Sequence, residues 1–138
     1  MGRVVMLVLT LMMSGRMMTL AFLHRAGRGE AGDPPAAWLM PLIGDAVIGA
    51  TALAVAWAVW RGRGPMVWAA IIAWNAVGLW DALSAYIVSR SVPWPEFFMI
   101  QTFGASMFFV AAAMHLVMIW LALSPAFRDD VLDNPRLG

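Results

Sequence analysis

Residues 66–89 read M-V-W-A-A-I-I-A-W-N-A-V-G-L-W-D-A-L-S-A-Y-I-V-S, with one charged residue, Asp81, among them. A run this long and this apolar matches a membrane-spanning helix, which needs about 20 residues at a rise of about 1.5 Å each. Lipid offers the backbone no hydrogen bonds, so an open strand cannot take its place. In front of it stands Gly62-Arg63-Gly64-Pro65, a tight turn.

Working outward, three more apolar runs appear, at 4–24, 37–60 and 96–123. Asp33-Pro34-Pro35 offers the second run a cap and helix-starting prolines. Pro93-Trp94-Pro95-Glu96 opens the fourth, with its acid near the positive end of the helix dipole, and Ser124-Pro125 closes it. The predicted fold is therefore all-α: a four-transmembrane-helix bundle, up-down-up-down with short loops, over residues 1–126. A polar, loose tail follows at 127–138. The first run has the Arg3-then-apolar start of a signal peptide. Arg16 interrupts it and no A-x-A pattern follows, so it is read as a retained helix.

Composition agrees. The chain has 138 residues, 62% hydrophobic and 12% charged, with a mean hydropathy of +0.78. Soluble domains carry about 25% charged residues, and the four runs leave no room for a second domain. The absence of cysteine excludes disulfides, thiolate metal sites and thiol nucleophiles. All nine basic residues are arginine, which, with abundant Ala and Gly, suggests a GC-rich bacterial genome and thus the bacterial cytoplasmic membrane. A net charge of +1 with no basic face excludes a nucleic-acid partner. With four spans, Arg3, Arg61, Arg63, Arg128 and Arg136 share one side and Arg25, Arg28 and Arg90 the other. The positive-inside rule then puts both termini in the cytoplasm. Trp38, Trp57, Trp60, Trp68, Trp94 and Trp120 fall near helix ends, as aromatic belts do, whereas Trp74 and Trp80 belong to the bundle or the lipid face.

Small residues let membrane helices approach closely. Two i,i+4 rows, Ala46-Ala50-Ala54-Ala58 and Ala69-Ala73-Val77-Asp81-Ala85, are expected to face neighbouring helices.

Arg16, Asp45, Asn75, Asp81 and His115 interrupt the apolar runs. An ionisable group at mid-membrane costs about 2.5–3.5 kcal/mol on insertion scales, so it turns inward and finds a partner. Arg16 is eight residues before His24, Asp45 eight after Ala37, and Asp81 eight before Ser89. All three then lie about 12 Å from the same end of the bundle and can form one layer. Asn75 and His115, counted from the opposite end, form a second layer nearer the cytoplasm. One arginine neutralises one aspartate, ideally by a bidentate pair. The second aspartate holds a proton or a cation on a pathway past His115, or is simply protonated in a layer that only ties helices together.

His115 has three readings: haem ligand, proton relay or satisfied core histidine. His24, the only other histidine, sits at the far end, which disfavours bis-histidine haem within one chain. The twelve methionines read as packing and lipid-facing filler. There is no serine-histidine-aspartate set, no phosphate-binding glycine loop and no H-E-x-x-H, so no enzyme, metal or cofactor is expected.

The stretches P-L-I-G-D-A-V-I-G (41–49), W-N-A-V-G-L-W-D-A-L-S-A (74–85) and M-H-L-V-M-I-W-L-A-L (114–123) resemble a group of small, uncharacterised four-helix bacterial integral membrane proteins. The resemblance spans about residues 38–123. It implies the four-helix fold, draws attention to Asp45, Asn75, Asp81 and His115, and supplies no activity. The functional expectation is a small proton or cation transporter or channel component. Four helices rarely enclose a pathway alone, so a homo-oligomer in the bilayer goes with it. The alternative is a non-catalytic subunit of a larger membrane complex, in which rows and layers serve packing. A pigment or haem protein using His115 stands third.

Overall fold

A computed structural model describes residues 2–132, and among them every regular element is helical. Four stretches are long and apolar enough to cross a membrane: Gly2–Leu23, Ala36–Arg61, Pro65–Ser91 and Ser106–Leu123. The first is not uniform. It runs as α1 (Gly2–Met12), a 3-10 segment (Met13–Thr19) and α2 (Leu20–Leu23). The second begins as a 3-10 turn at Ala36–Trp38 and continues as α3 (Leu39–Arg61). Next comes α4 (Pro65–Ser91), whose first residue is the proline after Gly64 at φ +96°.

The fourth span departs from the sequence expectation. Rather than one helix over 96–123, there is a short α5 (Phe98–Phe103), a break, and α6 (Ser106–Leu123). The break is at Gly104, whose φ of +65° ends α5 in a conformation open to glycine and costly for other residues. At 18 residues, α6 is about 27 Å long, just under the hydrocarbon thickness of about 30 Å.

The expected loose tail is also corrected as far as Leu132. Pro125–Leu132 forms α7, with Phe127 and Val131 buried. These two sit one helical turn apart, while Arg128, Asp129 and Asp130 between them stay in the open. The composition is polar, but the apolar pair shares one face. Residues 133–138, and with them Arg136, lie outside the described residues.

Asp33 does not cap the second span. Arg25 takes its carboxylate at 2.6 Å, and Pro35 precedes the helical turn with no side-chain cap. At the other end, Arg3 donates to the carbonyls of Val59 (2.8 Å) and Asp130 (3.1 Å) and pairs with the Asp130 carboxylate. One guanidinium thus satisfies orphan carbonyls at the end of α3 and ties down α7.

The two small-residue rows fail in the same way. Ala46 is buried, but Ala50 and Ala54 are exposed; Asp81 and Ala85 are buried, but Ala69, Ala73 and Val77 are exposed. Each step of four residues overshoots a 3.6-residue turn by about 40°, so a strict i+4 row winds off the contact face. The buried faces mix steps of three and four: Leu42, Ala46, Gly49, Ala52, Ala56 and Val59 on α3, and Ile71, Asn75, Gly78, Ala82 and Ala85 on α4.

The core consists of two apolar clusters. One gathers Met6, Met13, Ile48, Ala52, Val59, Ile71, Met118, Ala122, Phe127 and Val131. The other gathers Trp38, Leu42, Ala85, Trp94, Phe97 and Phe108. Trp38 and Trp94, expected in an aromatic belt, are 2% and 1% exposed and pack edge-on with ring centroids 5.7 Å apart. Their indole N–H groups donate to Val92 O and Gly32 O, which lets them be buried near helix ends. Trp57, Trp60, Trp80 and Trp120 are exposed.

Candidate functional site

Along α3 the order is Leu42 of the aromatic cluster, then Asp45, then Ile48 of the other cluster. Along α4 it is Ile71, Asn75, Asp81, Ala85, and along α6 it is Phe108, His115, Met118. The polar residues therefore occupy the seam between the two clusters.

Arg16 stands at their centre. It projects from the 3-10 segment, which at seven residues is longer than the usual three or four. Its Nε donates to Asp45 Oδ1, one terminal nitrogen donates to Asp81 Oδ2, and the other lies 3.2 Å from His115 Nε2. His115 Nδ1 is in turn 3.0 Å from Asn75 Oδ1, and Asn75 Nδ2 donates to Ile71 O at 2.9 Å. The five residues singled out from the sequence thus form one hydrogen-bonded chain. The two layers expected at separate depths are joined, because the arginine reaches a third helix.

The donor inventory fixes the protonation pattern of the chain. A guanidinium only donates, so His115 Nε2 must accept and Nδ1 must carry the proton, which it gives to Asn75. His115 is a neutral, fully engaged imidazole. With Asp45 and Asp81 ionised, the formal charge of the group is −1: one arginine against two carboxylates. Both carboxylates share the single guanidinium, whereas the sequence expectation paired it with one.

Three glycines make room for this. A Cβ on Gly44 would overlap the Asp81 carboxylate, and one on Gly78 would overlap the His115 ring. A Cβ on Gly49 would strike the backbone of Arg16 and Met17, so this glycine lets the 3-10 segment lie directly on α3. Trp74 closes the group from the side. Its ring meets His115 edge-on, with centroids 5.6 Å apart, and its N–H donates to Thr51 Oγ1 at 2.9 Å. Sequence reasoning missed these residues. The signal was present, since Gly44 precedes Asp45 and Gly78 stands one turn before Asp81.

The segment Met13–Thr19 packs on α3 and stands off from α6. A cavity of about 510 Å³ fills the gap, within the range of about 300–1,000 Å³ typical of ligand sites. Arg16 and Asp45 form its charged wall; Phe22, Phe97, Phe98, Phe103, Phe108 and several methionines form most of the rest, with Thr19 and Ser106 among the smaller residues. Met18, Phe103 and Val110 on its rim are exposed, so it opens on the flank of the bundle. Asp45 Oδ2 has no protein donor among the described residues and is not sealed from the outside. Asp81, Asn75 and His115 lie behind this wall. Among the described residues, no three histidine, aspartate or glutamate side chains gather as a metal-binding group. No family model matches the chain, and no curated protein or solved structure matches it.

Proposed function

We propose that this chain is a small bacterial inner-membrane protein of transport type, in which the Arg16–Asp45–Asp81 group carries a proton or a small cation. One observation carries this reading: two carboxylates share one guanidinium, and one of them, Asp45, lines a cavity. A group with formal charge −1 in a low-dielectric seam is stabilised by one proton or one monovalent cation. The helices run up-down-up-down with both termini cytoplasmic, and the cavity opens toward lipid and the far side.

The residues on the terminal side favour a carrier over a pore. Met6, Met13, Ile48, Ile71 and Met118, each 5% exposed or less, stand between the polar group and that end. Passage requires a second conformation or an interface between copies in a homo-oligomer. Purified protein in liposomes exchanges protons or small cations across the membrane, and Asp81→Asn abolishes the flux. Wild-type vesicles as tight as protein-free ones would overturn the assignment.

The full engagement of Arg16 and His115 favours a second reading, a packing subunit of a larger membrane complex. Such a polar chain ties three helices to the first span whether or not anything moves through it. Purification in mild detergent separates the two: a stoichiometric partner of different sequence supports the subunit, and a lone homo-oligomer counts against it.

A further inference from the structure

We infer that the flank cavity is a binding site for a lipophilic monovalent cation, an organic ammonium or phosphonium with an apolar body. This presupposes the cation site proposed above and names its cargo. Three features of the cavity select the ligand independently of one another.

The first is charge. Each of the three Arg16 nitrogens is already engaged, by Asp45, Asp81 and His115, and its single positive charge is shared between two carboxylates. At the cavity wall stands Asp45, one of two carboxyl groups that share one guanidinium. The head group that fits is positive. An anion would face Asp45 beside an Arg16 whose charge two carboxylates already share.

The second is the lining. Beyond Asp45 and Arg16 the walls are mostly aromatic and thioether, among them Phe22, Phe97, Phe103 and Phe108 with Met107 and Met114, and the hydroxyls of Thr19 and Ser106 are the other polar groups. Aromatic faces attract organic cations most strongly where water is excluded. A hydrated metal ion gains nothing from such walls and would lose its water there. The third is access. The rim opens on the flank, between the 3-10 segment and α6, where a spanning chain meets lipid. A lipophilic ion concentrates in that layer, whereas an inorganic one does not.

The decisive experiment compares two probes of the same shape and opposite charge, tetraphenylphosphonium and tetraphenylborate. Each is titrated against the full chain in nanodiscs of zwitterionic lipid, with protein-free nanodiscs as the baseline. The phosphonium is expected to bind saturably above that baseline and the borate not at all. Asp45→Asn weakens phosphonium binding by about tenfold or more, the scale of losing one partner of a desolvated charge pair. Ala111→Phe adds bulk to the cavity wall on α6 without removing any charge, and it weakens binding while leaving the melting temperature near wild type. Ala111→Phe and the paired probes on wild type stay decisive if Asp45→Asn does not fold. Equal uptake of both ions, tighter binding of the borate, or wild-type affinity in both variants would overturn the assignment; the second would point to an anion site, and the other two would leave lipid chains as the occupant. Proton flux in liposomes without phosphonium binding removes the cargo and leaves the transport reading. Phosphonium binding without any flux keeps the site and removes transport.

Discussion

The bundle has a closed half and an open half, divided by the Arg16 group, and both are built from the same four spans. In the half holding α1 and α7, α1 packs on α3 and α6, α7 folds against α4 and α6, and Arg3 ties α3 to α7. Ile48, Ala52, Val59 and Met118 there are all fully buried within one apolar cluster. In the other half the first span winds as a 3-10 segment that stands off from α6, and the fourth breaks at Gly104. The residues before the break, Phe98–Phe103, then lie over the gap as a flap instead of extending α6. Two backbone irregularities, one in each of two facing spans, are what turn a packed bundle into one with a cavity. The polar group sits where regular packing gives way.

The largest effect is expected where the two halves meet. Arg16→Met leaves two carboxylates facing each other in the seam without a counter-charge. Breaking a buried ion group by removing one partner costs about 3–5 kcal/mol. Chemical unfolding in mixed micelles is expected to show a loss of that size, together with loss of ion exchange. The comparison sharpens with Arg16→Met/Asp45→Asn/Asp81→Asn, which removes all three charges and recovers much of the stability without the activity. A triple variant as unstable as the single one would mean that shape, not charge, holds the seam.

Next come the glycines that let the halves touch. Gly49→Ala places a methyl group against the Arg16–Met17 backbone, which cannot swing aside as a side chain can. Overpacking of this kind costs about 1–3 kcal/mol. Gly15→Ala, one residue from Arg16 with nothing within 4 Å of its added carbon, is expected to cost nothing measurable. Thermal melts of the pair test whether the 3-10 segment really lies on α3. Equal melts would break that part of the comparison.

The pattern of what the sequence discloses follows the same division. The spans were legible because hydropathy over about 20 residues is a one-dimensional property. The depths of Arg16, Asp45 and Asp81 were legible because a helix has a fixed rise. Which face each helix turns inward was not, because a strict i+4 row such as Ala46 to Ala58 winds off the contact surface. The joining of Asn75 and His115 to the charged group was hidden too. It depends on a guanidinium long enough to cross the gap to α6, and on Gly78 leaving room for the imidazole. Gly104 reads as an ordinary small residue inside an apolar run until its φ of +65° is known. The short helix α7 was masked by a polar composition that hides one buried pair, Phe127 and Val131.

The closed half offers a smaller and more local test. Arg3→Gln removes a charge-assisted cap from the end of α3 and the link to Asp130. Hydrogen bonds to charged groups contribute about 1.5–3 kcal/mol each when isolated, but Asp130 is half-exposed, so the surface value of about 1 kcal/mol is the better guide for that link. The expected result is a loss of about 1–2 kcal/mol and faster amide exchange at Gly64, whose N–H donates to the Val131 carbonyl at 2.7 Å. Binding in the cavity, at the far side of the seam, is expected to stay at the wild-type level. If Arg3→Gln alters it, the two halves are coupled through the polar group.

The smallest effect on stability falls on the flap. Phe103 lines the cavity yet is 59% exposed, so Phe103→Ala removes little buried area. Substitutions outside the core usually stay within about 0.5 kcal/mol. Stability is therefore expected to be unchanged, while affinity for a lipophilic cation falls by roughly the worth of one aromatic face, about 0.5–1 kcal/mol at an exposed site. Phe127→Ala makes the opposite pair of changes, because Phe127 is 2% exposed in the closed half and remote from the cavity. It is expected to cost about 3–5 kcal/mol of stability and leave the cavity's affinity alone. Unfolding and titration measured on both variants cross over if one half holds the fold and the other holds the ligand. If both variants lose stability and neither loses affinity, the aromatic flap belongs to the core, and the division between the halves fails.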